Sequence, residues 1–170
     1  MTLSKSRTMS FESLEDRKLM AASIDFHGGV LEIEGTSGND DVRISSYGNQ
    51  LTVHIKEGST FTGHTFNVHT VDEIVFNGND GNDYFLNTSS IDTRAYGGNG
   101  NDTLSSGFGD DVLYGQAGND HINGSYGDDY IRGGSGNDTV NAGVGNDTIY
   151  GDSGQDSIKG GSGNDYMNGG

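Results

Sequence analysis

Residues 97–168 read GGNGNDTLS SGFGDDVLY GQAGNDHIN GSYGDDYIR GGSGNDTVN AGVGNDTIY GDSGQDSIK GGSGNDYMN, eight nine-residue units without insertion or deletion. Each unit follows the pattern G-G-x-G-x-D-x-U-x, in which U is a large aliphatic residue. The fourth place is always Gly and the sixth is always Asp. Because a fixed period reports a repeated structural unit, this pattern decides the fold before local propensity is considered.

The glycines and the fifth place of each unit predict a turn. Glycine at places one, two and four lets the backbone take positive φ, and the Asn or Asp at place five of seven units tolerates tight turns. The first six residues are therefore predicted to form a turn and the last three a short strand, with the eighth-place side chain pointing inward. Two units complete one coil, so unit n stacks on unit n+2. This predicts an all-β fold, a parallel β-roll or β-solenoid, over residues 97–170.

In such a stack the sixth-place Asp residues form two columns, one along each edge. Carboxylates about 5 Å apart repel each other by roughly 1 kcal/mol in water and by several times that at lower dielectric. So thin an aliphatic core does not offset both this repulsion and the entropy lost on ordering the chain. A divalent cation between stacked turns would convert repulsion into attraction, and oxygen ligands without Cys favour Ca²⁺ over zinc and magnesium. We therefore expect the array to fold only when Ca²⁺ binds.

The units resemble the RTX nonapeptide of hemolysin-type calcium-binding proteins. The resemblance implies a parallel β-roll in which each Ca²⁺ lies between turns n and n+2, held by sixth-place Asp residues and backbone carbonyls. Eight stacked units contain six such pairs. Asp40, in a divergent copy of the repeat, is a less direct candidate ligand. The candidate metal ligands are Asp102, Asp111, Asp120, Asp129, Asp138, Asp147, Asp156 and Asp165, with Asp83 from an imperfect copy.

Five residues depart from the glycine pattern of the turns. Place one is Ser106 and Ala142 in two units, and place two is Gln116, Ser125 and Asp152 in three. Side chains at these places are expected to strain the turn, and so we expect the calcium sites there to be weaker.

Residues 23–96 are predicted to be an irregular β-rich lead-in that caps the array. Apolar and polar residues alternate in several short runs, most clearly from Leu51 to Lys56, and Gly, Ser and Asn separate the runs. Two imperfect copies of the nonapeptide lie within it, at residues 35–43 and 78–86. Residues 87–96 break the nine-residue phase just before the array begins.

Residues 1–22 form a separate N-terminal segment, either targeting-like or disordered. Apolar residues among charges indicate a short, weakly amphipathic helix, and the apolar h-region of a standard signal peptide is absent. Residues 11–20, FESLEDRKLM, resemble the LEPR-XLL type motif of large bacterial surface or exported proteins, although Asp16 interrupts the motif and Pro is missing. The resemblance implies export, and we predict an extracellular, secreted or cell-surface location.

Charge and composition narrow the function further. The formal net charge of −16 argues against binding nucleic acid and for binding cations. No apolar run approaches the roughly 18 residues of a membrane span, and the common catalytic and phosphate-binding motifs do not occur. We predict a calcium-binding protein that is not an enzyme. An alternative is that the repeats are the non-catalytic region of a larger secreted enzyme or toxin.

The outward places of the strands predict two unlike faces. Even-numbered units carry several Tyr residues there, whereas odd-numbered units carry mainly small polar residues. Such a face either stabilises a thin sheet through aromatic ladders or serves as an adhesin or matrix surface for a protein, a glycan or another copy of the chain. The outward Tyr residues are Tyr114, Tyr130, Tyr150 and Tyr166, and Phe108, Tyr126 and Val144 are expected to add apolar character to the same side.

Overall fold

The computed structural model describes residues 22–170, except Gly58 and the side chain of Glu57. The helix expected within residues 1–22 lies, apart from Ala22, outside them. The described chain is almost entirely β-strand, with one 3₁₀ turn at Val68–Thr70. In chain order the strands are β1 (Ser23–His27), β2 (Val30–Glu34), β3 (Asp41–Tyr47), β4 (Gln50–Glu57), β5 (Thr60–Asn67), β6 (Glu73–Asn77), β7 (Tyr84–Asn87), β8 (Asp92–Asn99), β9 (Thr103–Ser105), β10 (Val112–Ala117), β11 (His121–Tyr126), β12 (Tyr130–Ser135), β13 (Thr139–Val144), β14 (Thr148–Ser153), β15 (Ser157–Ser162) and β16 (Tyr166–Asn168).

The strands build two eight-stranded sheets. Sheet A has the order β1-β2-β6-β8-β10-β12-β14-β16, and sheet B has the order β15-β13-β11-β9-β7-β3-β4-β5. From β6 onward the chain alternates between the sheets, and each strand pairs in parallel with the strand two places later, as β10 does with β12 and β11 with β13. The result is a β-solenoid of about five turns, which confirms the predicted all-β parallel roll.

The stacking period is the predicted one, but the strands are longer than expected. Val112 in β10 pairs with Tyr130 in β12, which occupies the same place two units later. β10 runs from place seven of one unit to place three of the next, so it has six residues instead of three. The expectation of a six-residue turn is therefore wrong. The turn shrinks to places four to six because the backbone of places two and three also pairs between coils, as Gln116 does with Gly134.

The core is narrow and is made of inward-pointing side chains from both sheets. At its N-terminal end Phe76 and Phe85 stack across the sheets with ring centroids 4.8 Å apart. At its C-terminal end Met167 is 54% exposed. Between these ends each coil contributes only two large place-eight side chains, so the apolar core alone is a weak source of stability. The fully or nearly fully buried place-eight residues of the array are Leu104, Leu113, Ile122, Ile131, Val140 and Ile149.

The lead-in continues the same coil. β2 and β6 precede β8 in sheet A, and β3 and β7 precede β9 in sheet B, all in parallel. β1 adds antiparallel to β2, and β3, β4 and β5 form an antiparallel meander, so antiparallel strands stand at the N-terminal end of both sheets. The phase break is one residue long: Tyr84 pairs with Thr103, 19 positions on, whereas Thr103 pairs with His121, 18 positions on.

The outward Tyr residues form a ladder on the outer face of sheet A. The ladder, in order along the sheet, consists of Tyr96, Tyr114, Tyr130, Tyr150 and Tyr166. Tyr96 and Tyr114 stack in parallel with centroids 5.1 Å apart, and the later neighbours are tilted with centroids 5.8–6.1 Å apart. Tyr96 comes from the lead-in and extends the predicted set by one ring.

Phe108, Tyr126 and Val144 do not belong to this face. Tyr126 ends β11 and Val144 ends β13, which are strands of sheet B, and Phe108 stacks on Tyr126 with centroids 4.8 Å apart. The expectation that they extend the Tyr-rich side is wrong, because place three of an even-numbered unit completes the strand that began in the preceding odd-numbered unit.

Place two is a point of backbone strain wherever it is not Gly. A positive φ costs a residue with a side chain about 1–2 kcal/mol relative to Gly. The strain expected at Gln116, Ser125 and Asp152 is confirmed, and Asn79 in the lead-in shares it. Ser106 and Ala142, at place one, do not have positive φ, so the expectation of strain at those two positions is wrong. The four φ values, for Asn79, Gln116, Ser125 and Asp152, are 74°, 78°, 75° and 69°.

Gly118→Ala tests the glycine requirement at place four. Gly118 has φ +135°, and a methyl group there would collide with the carbonyl oxygen of Gly100. We expect the variant to lose about 2 kcal/mol or more of unfolding free energy, measured by denaturant titration in saturating calcium. Gly38→Ala is the control, because the nearest atom would lie 3.7 Å from its new methyl group and its φ is not positive. Equal losses in the two variants would contradict the assignment.

Candidate metal centre

The sixth-place Asp residues line the two edges of the solenoid in the predicted columns. In both columns the backbone N–H of one Asp donates to Oδ1 of the Asp one coil further on, as Asp102 does to Asp120 at 2.8 Å and Asp111 to Asp129 at 2.9 Å. This bond fixes each carboxylate against the neighbouring turn. Edge 1 contains Asp40, Asp83, Asp102, Asp120, Asp138 and Asp156, and edge 2 contains Asp111, Asp129, Asp147 and Asp165.

The second carboxylate oxygen, Oδ2, has no hydrogen-bond partner in most members of the columns. A buried carboxylate oxygen without a partner is costly, so each of these atoms calls for a ligand from outside the protein. The buried, unpartnered Oδ2 atoms are those of Asp83, Asp102, Asp111, Asp120, Asp129, Asp138, Asp147 and Asp156.

A place-one glycine lies beside each Oδ2 of edge 1 from Asp83 onward. At Gly115 an added methyl group would collide with Oδ2 of Asp120 and would approach the carbonyl oxygen of Gly133 in the next coil. Glycine thus keeps open a cradle in which a carboxylate oxygen and a backbone carbonyl oxygen converge. The other place-one glycines with both oxygens nearby are Gly35, Gly78, Gly97, Gly124, Gly133 and Gly151.

Two place-one residues on edge 2 fill the cradle. The hydroxyl of Ser106 donates to the carbonyl oxygen of Gly124 at 2.8 Å, so its side chain occupies the space beside Asp111. Ala142 places a fully buried methyl group at the equivalent position beside Asp147. The structure therefore gives a local reason why these two turns differ from the glycine turns.

Asp40 differs from the other members of edge 1. Its Oδ2 accepts hydrogen bonds from the backbone N–H of Thr36 at 2.7 Å and from the Thr36 hydroxyl at 3.1 Å. Asp40 is the first member of edge 1, and because protein donors already satisfy its Oδ2, it adds no unpartnered oxygen to the column.

Burial of the carboxylates is the main cause of the raised pKa values in the columns. It raises the pKa of Asp120 to about 7 and that of Asp129 to about 8, and repulsion from the neighbouring carboxylates adds a smaller rise. Burial likewise raises the pKa of Asp83 to about 7 and that of Asp111 to about 6, the latter against the hydrogen bond from the backbone N–H of Thr93. The repulsion expected from the sequence is present, but desolvation of the carboxylates outweighs it.

A second ladder, at place five, lies outside the Asp columns. The side-chain oxygen of Asn101 accepts from the backbone N–H of Asn119 at 2.7 Å, and Asp128 accepts in the same way from Asn146. Place five thus receives a bond from the following coil, whereas place six receives one from the preceding coil. The ladder is not among the features predicted from the sequence, although the Asn or Asp at place five of seven units was its signal.

The donor set fits a hard cation that takes oxygen ligands. Among the described side chains of residues 22–56 and 59–170, no three from His, Asp or Glu converge closely enough to hold a metal by themselves. Backbone carbonyls such as that of Gly133 would have to complete the coordination, and Ca²⁺ accepts mixed carboxylate and carbonyl oxygens in flexible geometry. The buried Oδ2 atoms beside the glycine cradles therefore suit Ca²⁺ and offer nothing that a thiophilic metal prefers.

Comparison with known proteins agrees with this chemistry. No curated protein and no solved structure matches the chain. The profile of the RTX calcium-binding nonapeptide repeat matches in four copies, at residues 96–125, 114–149, 123–158 and 141–170. RTX repeats bind Ca²⁺, so the cation that fits the donor set is the one this family takes. Residues 96–170 of this chain are therefore RTX calcium-binding nonapeptide repeats.

Proposed function

We propose that this protein is a non-catalytic calcium-binding β-roll whose folding is driven by Ca²⁺ at the two Asp columns. The observation that carries the proposal is the row of buried Oδ2 atoms without protein partners. An unpaired buried charge destabilises the folded state, and binding to the folded state alone adds stability by mass action. The binding free energy of Ca²⁺ thus becomes folding free energy.

The two edges should bind Ca²⁺ unequally. Edge 1 has glycine at place one beside Asp83, Asp102, Asp120, Asp138 and Asp156, which are its proposed ligands. On edge 2 we propose Asp129 and Asp165 as ligands, and Asp129 has the open cradle beside Gly124 although place two of its turn is the strained Ser125. Asp111 and Asp147, beside Ser106 and Ala142, are proposed as weaker ligands because side-chain atoms occupy their cradles.

We place this function outside the cell, in a secreted or cell-surface protein. Calcium sites of extracellular modules work at roughly 10⁻⁴–10⁻³ M, and a chain that folds only in calcium stays unfolded where calcium is scarce. Within the described part of the chain no helix is both long enough and apolar enough to cross a membrane. The resemblance of residues 11–20 to an export motif favours a secreted or cell-surface location.

The Tyr ladder supports a second function, that of an interaction surface. Tyr114, Tyr130 and Tyr150 remain partly exposed, and Tyr166 is 55% exposed. Aromatic side chains supply large contact area at low entropic cost, and they are enriched in protein interfaces. We propose that this face contacts a protein partner, a glycan or another copy of the chain after calcium has folded the roll.

Asp129→Asn tests the calcium ligands. Asn keeps an oxygen that can accept from the N–H of Asp111 but replaces the unpartnered Oδ2 with an NH₂ group. We expect the calcium midpoint for gain of β-structure, followed by circular dichroism, to rise about tenfold or more, as for a loss near 1.4 kcal/mol.

Asp128→Asn is the matched control for that experiment. Asp128 is the exposed place-five neighbour, and Asn already occupies place five in other units. Its calcium midpoint should stay within about twofold of the parent value, since surface substitutions usually change stability little. Equal midpoints for the two variants, or no β-structure at millimolar calcium in the parent, would overturn the proposal.

The raised pKa values predict that acid partly replaces calcium. The pKa values of Asp120 and Asp129 rise to about 7 and 8 on folding, from about 3.9 in the unfolded chain. Their favourable contribution is therefore present below about pH 4 and is lost as pH rises through the folded pKa values.

Circular dichroism in a calcium chelator checks this expectation. More β-structure should appear at pH 5 than at pH 8.5, with a midpoint between about pH 6 and 8. In calcium the trend should reverse, because the ligands must lose protons to bind. A chelator-state midpoint near pH 4 would assign the transition to exposed carboxylates instead.

Replacing Tyr114, Tyr130 and Tyr150 by Ser tests the interaction surface. Self-association by sedimentation velocity, or binding to an immobilised partner, should be abolished, while calcium-driven folding by circular dichroism is retained. The control replaces His121, Asn141 and Lys159, on the outer face of sheet B, by Ser. If the two triple variants associate alike, the ladder serves the stability of the sheet alone.

A further inference from the structure

We propose that a groove between the lead-in and the array binds a neutral saccharide, with one pyranose ring against Tyr96. The groove has a volume of about 640 Å³, which is within the range of small-molecule sites. It lies on the outside of the solenoid across β6, β8 and β10, whereas the Asp columns face the interior. Its lining residues are Glu34, Asn77, Asn79, Asp80, Tyr96, Gly98, Asn99 and Gln116.

The groove exists because one place-two glycine lies between two larger residues. A methyl group at Gly98 would collide with the carbonyl oxygen of Asn79, so the floor of the groove has no side chain. Asn79 and Gln116 occupy the matching places in the coils before and after Gly98. The low floor and the two flanking side chains together make the concave shape.

Both flanking residues are held in a strained backbone conformation. Asn79 has φ 74° and Gln116 has φ 78°, where glycine would fit without cost. The strained Asp152 pairs with Arg132, whereas the carboxamide of Gln116 has no hydrogen-bond partner among the described residues. Asn79 donates through Nδ2 to the carbonyl oxygen of Gly35 at 3.1 Å, so the strain without a side-chain contact in the protein is that of Gln116. Such strain points to a contact with a ligand.

The polar walls present hydrogen-bond acceptors at several separate points. Asn77 donates through Nδ2 to Glu34 at 2.6 Å, and Asn99 donates through Nδ2 to Asp80 at 2.8 Å. These bonds turn the amide N–H groups toward the carboxylates and leave the amide oxygens for a ligand. A ligand that fits must carry donors distributed around its rim, as the hydroxyl groups of a sugar are.

Charge in the groove excludes anionic ligands and does not favour a small cation. Glu34 and Asp80 line it, and no Lys or Arg does, so a phosphate or a uronic acid would be repelled. Glu34 and Asp80 each accept a hydrogen bond from an Asn amide, at 2.6 Å from Asn77 and 2.8 Å from Asn99, unlike the buried, unpartnered Oδ2 atoms of the Asp columns. A neutral polyhydroxyl ligand satisfies both conditions.

Tyr96 provides the apolar side of the site. Tyr114 covers one face of its ring at 5.1 Å with an interplanar angle of 2°, and the ring lines the groove. An aromatic ring presents a flat apolar surface, against which the C–H face of a pyranose can pack. The stacking on Tyr114 holds the ring in place before a ligand arrives.

Isothermal titration calorimetry on the full chain in saturating calcium tests the proposal. The probes are neutral tetrasaccharides of glucose, galactose and mannose, a chitosan tetramer as the cationic arm and an oligouronate as the anionic arm. We expect at least one neutral probe to bind and to shift the amide signals of Gly98 and Asn99 in NMR spectra. Binding of none of the neutral probes, or of the chitosan tetramer alone, would overturn the proposal.

Gln116→Gly separates binding from structure. It removes one wall and relieves the strained φ, so affinity for the neutral probe should fall about tenfold while the melting temperature rises. Ser125→Gly relieves the same kind of strain outside the groove and should leave affinity unchanged. Unchanged affinity in Gln116→Gly would refute the site. Calcium-driven gain of β-structure is measured separately, so failure of the groove is distinguishable from failure of calcium binding.

Discussion

The buried carboxylate oxygen without a protein partner is the constraint on which the rest of the structure depends. Eight such oxygens lie inside the solenoid, most of them beside a glycine whose missing side chain leaves room for one more atom. The burial that raises the pKa of Asp129 to about 8 is the same cost that an oxygen-ligated cation would remove. The array is therefore built around an ion that the chain itself does not supply.

The backbone prepares the edges for that ion. At place six a carboxylate oxygen accepts from the preceding coil, and at place five an amide or carboxylate oxygen accepts from the following coil. The two ladders hold the turns in register from opposite directions, and only the second oxygen of each sixth-place Asp is left over. One oxygen of each sixth-place carboxylate thus accepts the hydrogen bond that holds the coils in register, and the other oxygen is left for a ligand.

The first coils have no carboxylate at the positions that continue edge 2 toward the N-terminus. In sheet A the register places Leu31, Ile74 and Thr93 in line ahead of Asp111, so the first coils have apolar or hydroxyl groups where the array has carboxylates. With Phe76 and Phe85 stacked beside them, these coils contain the largest fully buried side chains of the described chain. They offer a surface on which the calcium-dependent coils can stack, and antiparallel strands cover their far side.

The sequence by itself determined the parts that repeat. A strict nine-residue period, with Gly at place four, Asp at place six and an aliphatic residue at place eight, was enough to predict the parallel roll, the two Asp columns and the choice of Ca²⁺. It also located the strain at Gln116, Ser125 and Asp152, since only place two of those units broke the glycine rule. These features are local and periodic, so the sequence of each unit is enough to predict them.

Tertiary structure decided everything that depends on which atoms meet between coils. The six-residue strands, the move of Tyr126 to sheet B and the place-five ladder arise from pairing across coils, which a period along one unit does not reveal. Only the stacked turns show that Thr36 satisfies Asp40 and that Ser106 fills a cradle. Those contacts join residues in different units or at opposite ends of one turn. The sequence therefore set the number of carboxylates, and packing decided which of their oxygens remain free.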